Sequence, residues 1–169
     1  MHTSHSTRLL TFDALLFTLV FSTGCDSNDS GGIDLDDPDS LVGSYRLITV
    51  TDKAGDFSGN EGLQFEAGES QTVTFTEDDE TFTVVMTVDG GLELTSTRYM
   101  FVFTISASTG GFPVFTDVEE DEGTWTVSGN TLTLDSDEQG IGLESLDISA
   151  NGDRIAIENE DVRFVFEQE

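Results

Sequence analysis

The sequence predicts an all-β domain: an up-and-down antiparallel β-barrel of eight to ten strands, with a two-sheet β-sandwich as the alternative. Three observations lead to this fold class. From Leu41 onward, apolar and polar residues alternate with a period of two. Short turn signals rich in Gly, Asn and Asp separate the alternating runs. No run has the 3.6-residue apolar stripe of an amphipathic helix.

The alternation defines the strands one after another along the chain. In the strands around Met86 and Phe103, large apolar residues occupy one face, and threonine and β-branched residues fill much of the other. One apolar face per strand suits a single enclosed interior, and a meander of neighbouring hairpins favours the barrel. The predicted strands are 44–51, 71–77, 81–88, 92–105, 112–118, 123–128, 131–135, 145–149, 154–158 and 162–167.

Four short segments predict the tight turns. Asn-Gly, Asp-Gly and related pairs tolerate the positive φ angles that hairpin turns need. The predicted turns are 89–91 (DGG), 129–130 (GN), 151–152 (NG) and 159–161 (NED).

The connection 52–70 is too long for a tight turn. It contains several glycines and the isolated apolar residues Phe57, Leu63 and Phe65. Long loops are often functional lids. Two interpretations stay open: a lid over a barrel mouth, or a surface insertion whose phenylalanines plug the end.

The charge of the chain excludes one class of partner. Its 169 residues suffice for one domain with a core, and they include 34 Asp and Glu against 6 Lys and Arg, a formal net charge of −28. Such a surface repels phosphates, so we expect no nucleic acid partner. Self-repulsion on this scale needs screening by salt, which indicates a saline habitat and most acids as solvated surface. The 13 phenylalanines argue against a disordered chain.

The residue types needed for common catalytic chemistry are scarce. Both histidines, His2 and His5, precede the first apolar run, and the single cysteine excludes an internal disulfide. The acidic runs 77–80 and 119–122 are interpreted as solvated hairpin tips. We therefore expect no enzyme activity, no catalytic residues, no metal site and no cofactor.

The first 24 residues have the layout of a secretory signal peptide. Residues 1–8 contain Arg8, and Leu9–Phe21 is apolar but shorter than the roughly 20 residues of a membrane-spanning helix. The following Ser22–Cys25 (STGC) resembles the lipobox of bacterial lipoproteins, in which the cysteine is acylated and becomes the new amino terminus. The resemblance implies a protein exported to the bacterial cell envelope and held in a membrane through acylated Cys25.

An acidic segment separates this cysteine from the strands. Asp26–Ser40 (DSNDSGGIDLDDPDS) has little apolar content and predicts a flexible tether. The predicted organisation is therefore a signal peptide at 1–24, a tether at 25–40 and a folded domain at 41–169.

Two motifs suggest a family. Leu41–Val50 (LVGSYRLITV) and Gly123–Leu134 (GTWTVSGNTLTL) resemble the lipocalin-like domain of bacterial lipoproteins, over residues 41–169. The resemblance implies an up-and-down barrel. It also implies that an opening aromatic packs under an arginine of the last strand, which would make Tyr45 and Arg163 a barrel-closing pair.

Two functions remain open at this stage. The first is a binding protein that holds a small apolar or amphipathic ligand inside the barrel. The second is a structural or interaction protein of the envelope with a filled barrel and an unknown protein partner. An open apolar cavity would favour the first and a packed interior the second. The predicted ligand-binding residues are Phe75, Phe82, Met86, Phe101, Phe103, Trp125 and Phe164.

Overall fold

The structure, a computed structural model, describes residues 32–77, 80–137 and 144–169, and it confirms the all-β class. In these residues a short 3-10 helix, Pro38–Leu41, precedes ten antiparallel strands. None of the helical structure in these ranges is long and apolar enough to span a bilayer. The strands are β1 (Gly43–Asp52), β2 (Leu63–Glu66), β3 (Ser70–Glu77), β4 (Glu80–Leu94), β5 (Arg98–Thr109), β6 (Phe112–Ser128), β7 (Thr131–Ser136), β8 (Glu144–Asn151), β9 (Arg154–Glu158) and β10 (Val162–Gln168).

Eight of these strands close into a ring, which confirms the barrel. The order runs β1-β10-β9-β8-β7-β6-β5-β4, and β4 pairs back with β1. β2 and β3 lie outside the ring, paired with β1 and β4 respectively. Closure leaves one interior, and most inward positions of the ring strands are apolar.

The two ends of the barrel are built differently. β1 and β4 pair only over Gly43–Arg46 and Gly91–Leu94. Further along, β1 pairs with β2 and β4 pairs with β3, so the two ring strands diverge. We call the end where β1 begins the closed end; its turns are 95–97, 129–130 and 152–153. The opposite end, with the connections 53–62, 110–111 and 159–161, is the mouth.

The closed end is covered by the residues that precede β1. Leu41 is fully buried, and Ile33 and Leu35 pack against the core. The Ile33 N–H donates to the Gly152 carbonyl at 2.9 Å. Tyr45 donates its hydroxyl to the Leu41 carbonyl at 2.8 Å, with its ring inside the barrel.

This packing corrects the predicted domain boundary. The part of the predicted tether that the structure describes, from residue 32 to residue 40, lies on the barrel instead of hanging free, because Ile33 and Leu35 supply apolar contacts that the composition of the segment understates. The predicted signal peptide at 1–24 and Cys25 lie outside the described residues.

The turn predicted at 89–91 is wrong. β4 runs continuously through these residues, and the chain turns later, at Thr95–Thr97. A side chain at Gly90 would clash with the Val102 carbonyl of the neighbouring strand, and one at Gly91 would lie 3.0 Å from the Tyr45 carbonyl. The two glycines therefore do not form a turn. They allow the neighbouring strands β5 and β1 to approach β4 closely.

Other expectations fail as well, and three turns are confirmed. The strand predicted at 92–105 is interrupted by the turn at 95–97, and those predicted at 112–118 and 123–128 are parts of one strand, β6. The acidic run 119–122 lies within β6, paired with β5, and not at a hairpin tip. The long connection contains the unpredicted strand β2, which pairs with β1. The predicted turns near 129–130, 151–152 and 159–161 do separate strands, and Gly129 and Gly152 have the positive φ angles expected there.

Candidate functional site

Phenylalanines from several elements meet inside the barrel. Phe164 on β10 lies 5.3 Å from Phe101 and 5.2 Å from Phe103, both on β5, in edge-to-face contacts between ring centroids. Phe57, from the connection after β1, lies 5.6 Å from Phe65 and 6.4 Å from Phe103. This aromatic cluster contains Phe57, Phe65, Phe101, Phe103, Phe164 and Phe166.

The cluster combines buried and accessible rings. Phe65, Phe103 and Phe166 are buried, whereas Phe57, Phe101 and Phe164 are only partly buried. Partly exposed rings on the inner face keep apolar surface in contact with solvent. The aromatic cluster can therefore offer apolar surface to a molecule that enters from the mouth.

The seven residues predicted as a ligand wall lie on the inner faces of their strands, but at different depths. Phe101 and Phe103 belong to the aromatic cluster, together with Phe164. Met86 is fully buried. Trp125 lies at the closed end, where its indole N–H donates to the Thr95 carbonyl at 2.8 Å.

The remaining two predicted wall residues, Phe75 and Phe82, lie opposite each other on β3 and β4. Their rings stack at 5.1 Å, and Phe82 is 49% exposed. The structure therefore brings three predicted residues together in the cluster and two at the mouth. Trp125 lies at the closed end, and Met86 is buried opposite Ala107, on the mouth side of the β1–β4 pairing. Their part in ligand binding stays a prediction.

Tyr45 and Arg163, the predicted barrel-closing pair, are not brought together. Tyr45 lies opposite Gln168, whereas Arg163 lies opposite Thr51, six residues further along β1 and about 20 Å away. Tyr45 is buried and Arg163 is exposed on the outer face. The fold closes its floor with Leu41 and the residues before it instead.

A buried aspartate holds the connection that covers part of the mouth. Asp52, fully buried at the end of β1, accepts backbone N–H groups from residues 55–58 at 2.8–3.2 Å. It also accepts the Ser58 hydroxyl at 2.6 Å. These five hydrogen bonds satisfy the buried carboxylate. They fix the position of Phe57, whose ring then packs into the barrel, as the plug interpretation of this connection expected.

Three carboxylates of β6 lie on the inward-turned face of the strand, with Asp121 partly buried and Asp117 and Glu119 exposed. Asp121, Glu119 and Asp117 lie opposite Phe101, Phe103 and Ile105 on β5, and opposed residues of an antiparallel pair project from the same face. Asp121 accepts the Tyr99 hydroxyl at 2.6 Å and the Ser136 hydroxyl at 2.5 Å.

The pKa values of two neighbouring groups reflect this placement. Burial and the hydrogen bond to Asp121 raise the pKa of Tyr99 above its ordinary value. Partial burial, followed by the like charge of Asp117, raises the pKa of Glu119. The inward-turned face of β6 is therefore acidic toward the mouth.

A groove on the outer surface is a second concave feature. It encloses about 670 Å³ and is lined mainly by polar residues of β8, β9 and the neighbouring connections, including Lys53, Asp147 and Glu158. Lys53 forms an ion pair there, with its ammonium 3.3 Å from the Glu158 carboxylate. Within residues 32–77, 80–137 and 144–169, no group of three or more His, Cys, Asp or Glu side chains is arranged to hold a metal ion.

The sequence profile of the lipocalin-like domain matches residues 41–157, well over half of the chain and from β1 into β9. The chain belongs to the lipocalin-like domain family. No curated protein and no solved structure matches it. The match confirms the family suggested by Leu41–Val50 and Gly123–Leu134, and an eight-stranded lipocalin-like barrel is consistent with the binding of a small ligand.

Several site residues of this lipocalin-like domain were missed or misplaced by the sequence patterns. Phe166 continues the alternation of Phe164 in the last strand, so a signal for it was present. Phe57 and Phe65 looked isolated because their partners are distant in sequence. Glu119 is exposed, in agreement with the interpretation of the acidic run as solvated. The partial burial of Asp121 and the inward direction of both side chains follow only from the β5–β6 register.

Proposed function

We propose that this lipocalin-like domain binds a small apolar or amphipathic molecule against its aromatic cluster and has no enzymatic activity. The main observation in favour of ligand binding is that Phe57, Phe101 and Phe164 point into the barrel and yet remain partly exposed. In a filled barrel these rings would be enclosed by neighbours. A ligand that enters at the mouth would bury the accessible ring surfaces, and this favours binding.

A neutral apolar fluorophore tests binding. We expect N-phenylnaphthylamine to bind the purified full chain saturably, with increased fluorescence. Phe164→Ala should weaken binding about five- to thirty-fold, because it removes an aromatic contact worth roughly 1–2 kcal/mol. Val165→Ala, one residue along β10 on the opposite face, is the matched control and should leave affinity unchanged.

The same titration can reject the proposal. Fluorescence that never saturates, or equal loss in both variants, would contradict a specific interior site and favour the filled-barrel alternative, a structural or interaction protein of the envelope.

We further propose that the domain is exported and held in a bacterial envelope membrane by acylated Cys25. Support comes from the apolar leader, the small residues before Cys25 and the acidic stretch after it. Two or more acyl chains hold a protein stably, whereas one does not. Expressed in a bacterial host, Cys25→Ser should move the protein to the soluble fraction and abolish labelling by radioactive palmitate. Membrane association that persists in this variant would contradict the anchor.

We also propose that the domain works in a saline habitat, on the basis of its net charge of −28. At about 1 M salt the Debye length falls to ~3 Å, which suppresses repulsion between surface carboxylates. The thermal unfolding midpoint should therefore rise steadily from low salt to about 2 M sodium chloride. An unchanged midpoint would contradict this interpretation.

A further inference from the structure

The inner face of β6 places negative charge next to the aromatic cluster. Glu119 lies opposite Phe103, whose ring contacts Phe57 and Phe164. Asp117 lies one inward position nearer the mouth, opposite Ile105. A molecule bound against the cluster would therefore have a carboxylate beside it, and a second carboxylate near its outer end.

The described part of the protein supplies no positive charge to balance these two groups. Arg46 and Arg154 pair with Glu167, and Arg98 pairs with Asp137. Lys53 pairs with Glu158, and Arg163 is exposed on β10, opposite Thr51. Among the described residues, the side chains of Asp117 and Glu119 have no hydrogen bond or ion pair. Asp121, by contrast, has two hydroxyl donors.

The electrostatics of Glu119 are consistent with an unbalanced charge near apolar surface. Partial burial, then the nearby Asp117, raises the pKa of Glu119 above its ordinary value. Both causes disfavour the carboxylate, and a cation placed beside it would reverse the effect. An anionic head group in the same position would add a further like charge to a chain that already has a net charge of −28.

Apolar surface continues outward from the carboxylates to the mouth. Phe115 lies opposite the buried Ala107 and is 45% exposed, and the stacked Phe75 and Phe82 lie on the inner face of β3 and β4. A molecule with an apolar body therefore has contacts on both sides of Glu119. The combination fits a ligand that is apolar and positively charged.

We propose that Glu119, assisted by Asp117, selects cationic amphiphiles, molecules with an apolar body and a quaternary ammonium or protonated amine, as the ligands of this barrel. The proposal rests on the proposed function, and it specifies the charge of the ligand. Glu119 is the specificity-determining residue, and the aromatic cluster binds the apolar body.

Three amphiphiles with the same twelve-carbon chain test the charge preference. Dodecyltrimethylammonium, dodecyl maltoside and dodecyl sulfate would be titrated into the purified full chain by calorimetry, each below its critical micelle concentration and at fixed salt. We expect one saturable site, with affinity falling from the cationic to the non-ionic to the anionic amphiphile.

Two neighbouring substitutions locate the origin of the preference. Glu119→Gln should weaken binding of the cationic amphiphile about five-fold, the effect of one partly solvated charge pair, and leave the non-ionic affinity unchanged. Glu120→Gln is the matched control, because it removes the same charge one residue along β6, on the outer face opposite Val102. It should change neither affinity.

Each other outcome has a distinct meaning. If the cationic and non-ionic amphiphiles bind equally, or both variants lose the same affinity, the assignment to Glu119 is overturned while interior binding stands. If none of the amphiphiles binds saturably, the proposed function itself is contradicted.

Discussion

The closed end and the mouth of the barrel have the same alternating sequence pattern but different burial. At the closed end, inward residues such as Leu41, Tyr45 and Trp125 are at most 6% exposed. At the mouth, Phe82 is 49% exposed and Phe112, at the start of β6, is 76% exposed. The exposure of inward apolar residues thus increases toward the outer tip of the mouth, whereas Met86, although beyond the β1–β4 pairing, is still fully buried.

Strand length explains the difference. β4, β5 and β6 have 15, 12 and 17 residues, whereas β1 and β10 have 10 and 7. The longer strands extend beyond the level at which β1 and β4 pair. Beyond that level β1 pairs with β2 instead of β4. At the outermost ends of these strands, inward aromatic residues such as Phe82 and Phe112 are exposed and available to a ligand.

The largest expected contrast in stability is between Trp125 and Phe82, which the sequence places in one predicted ligand wall. Trp125→Ala should lower the free energy of unfolding by about 3–5 kcal/mol, because it leaves a cavity in the closed core and an unpaired Thr95 carbonyl. Phe82→Ala should cost less than about 1 kcal/mol, since its ring is already half exposed. Urea unfolding of both variants measures the contrast; equal losses would contradict the description of the two ends.

A second contrast concerns the polar anchor of the connection at the mouth. Asp52→Ala should lower the free energy of unfolding by about 2–3 kcal/mol, because four backbone N–H groups and the Ser58 hydroxyl lose their acceptor. It should also expose Phe57 and accelerate proteolysis within 53–62.

The control for this variant is Asp56→Ala, which removes the same charge from an exposed side chain and keeps the Asp52 acceptor. It should be nearly neutral in urea unfolding. If Asp52→Ala were equally neutral, the connection would not depend on the buried carboxylate.

The smallest of the three effects is a loss of folding stability at alkaline pH, caused by Tyr45 at the closed end. Burial raises the pKa of Tyr45 to about 12, against about 10 in an unfolded chain. Between these values the folded protein keeps the proton and the unfolded chain loses it. Stability present below pH 10 is thus lost as the pH rises toward 12, by about 2 kcal/mol.

Urea midpoints at pH 9 and pH 11.5 measure this loss. Tyr45→Phe should show a smaller decrease between the two values than the unsubstituted chain, and the shared contribution of Tyr99 cancels in the comparison. An identical decrease in both proteins would show that Tyr45 is not the group responsible.

The sequence was sufficient for the parts of the fold that depend on neighbouring residues. Alternation around Met86 and Phe103 predicted strands and their inner faces, and the Asn-Gly pair at 151–152 predicted a turn. Prediction from the sequence failed where a local pattern reflects a contact with another strand or connection. Gly90 has the appearance of a turn residue, yet its role is to let Val102 approach. The isolated Phe57 gave no sign that Phe65 and Phe103 would enclose it.

By itself, the sequence determined the all-β class, the acidic surface, the family and the inward direction of the aromatic residues, because a period of two fixes side-chain direction within each strand. The tertiary structure alone decided where the ring closes, which aromatics stay accessible and which acids face them. Pairing of β1 with β4 joins segments far apart in the chain. The inward direction of Glu119 depends on the β5–β6 register, which has an irregularity between Ala107 and Ser108, and a shift of one residue would turn Glu119 outward and Glu120 inward.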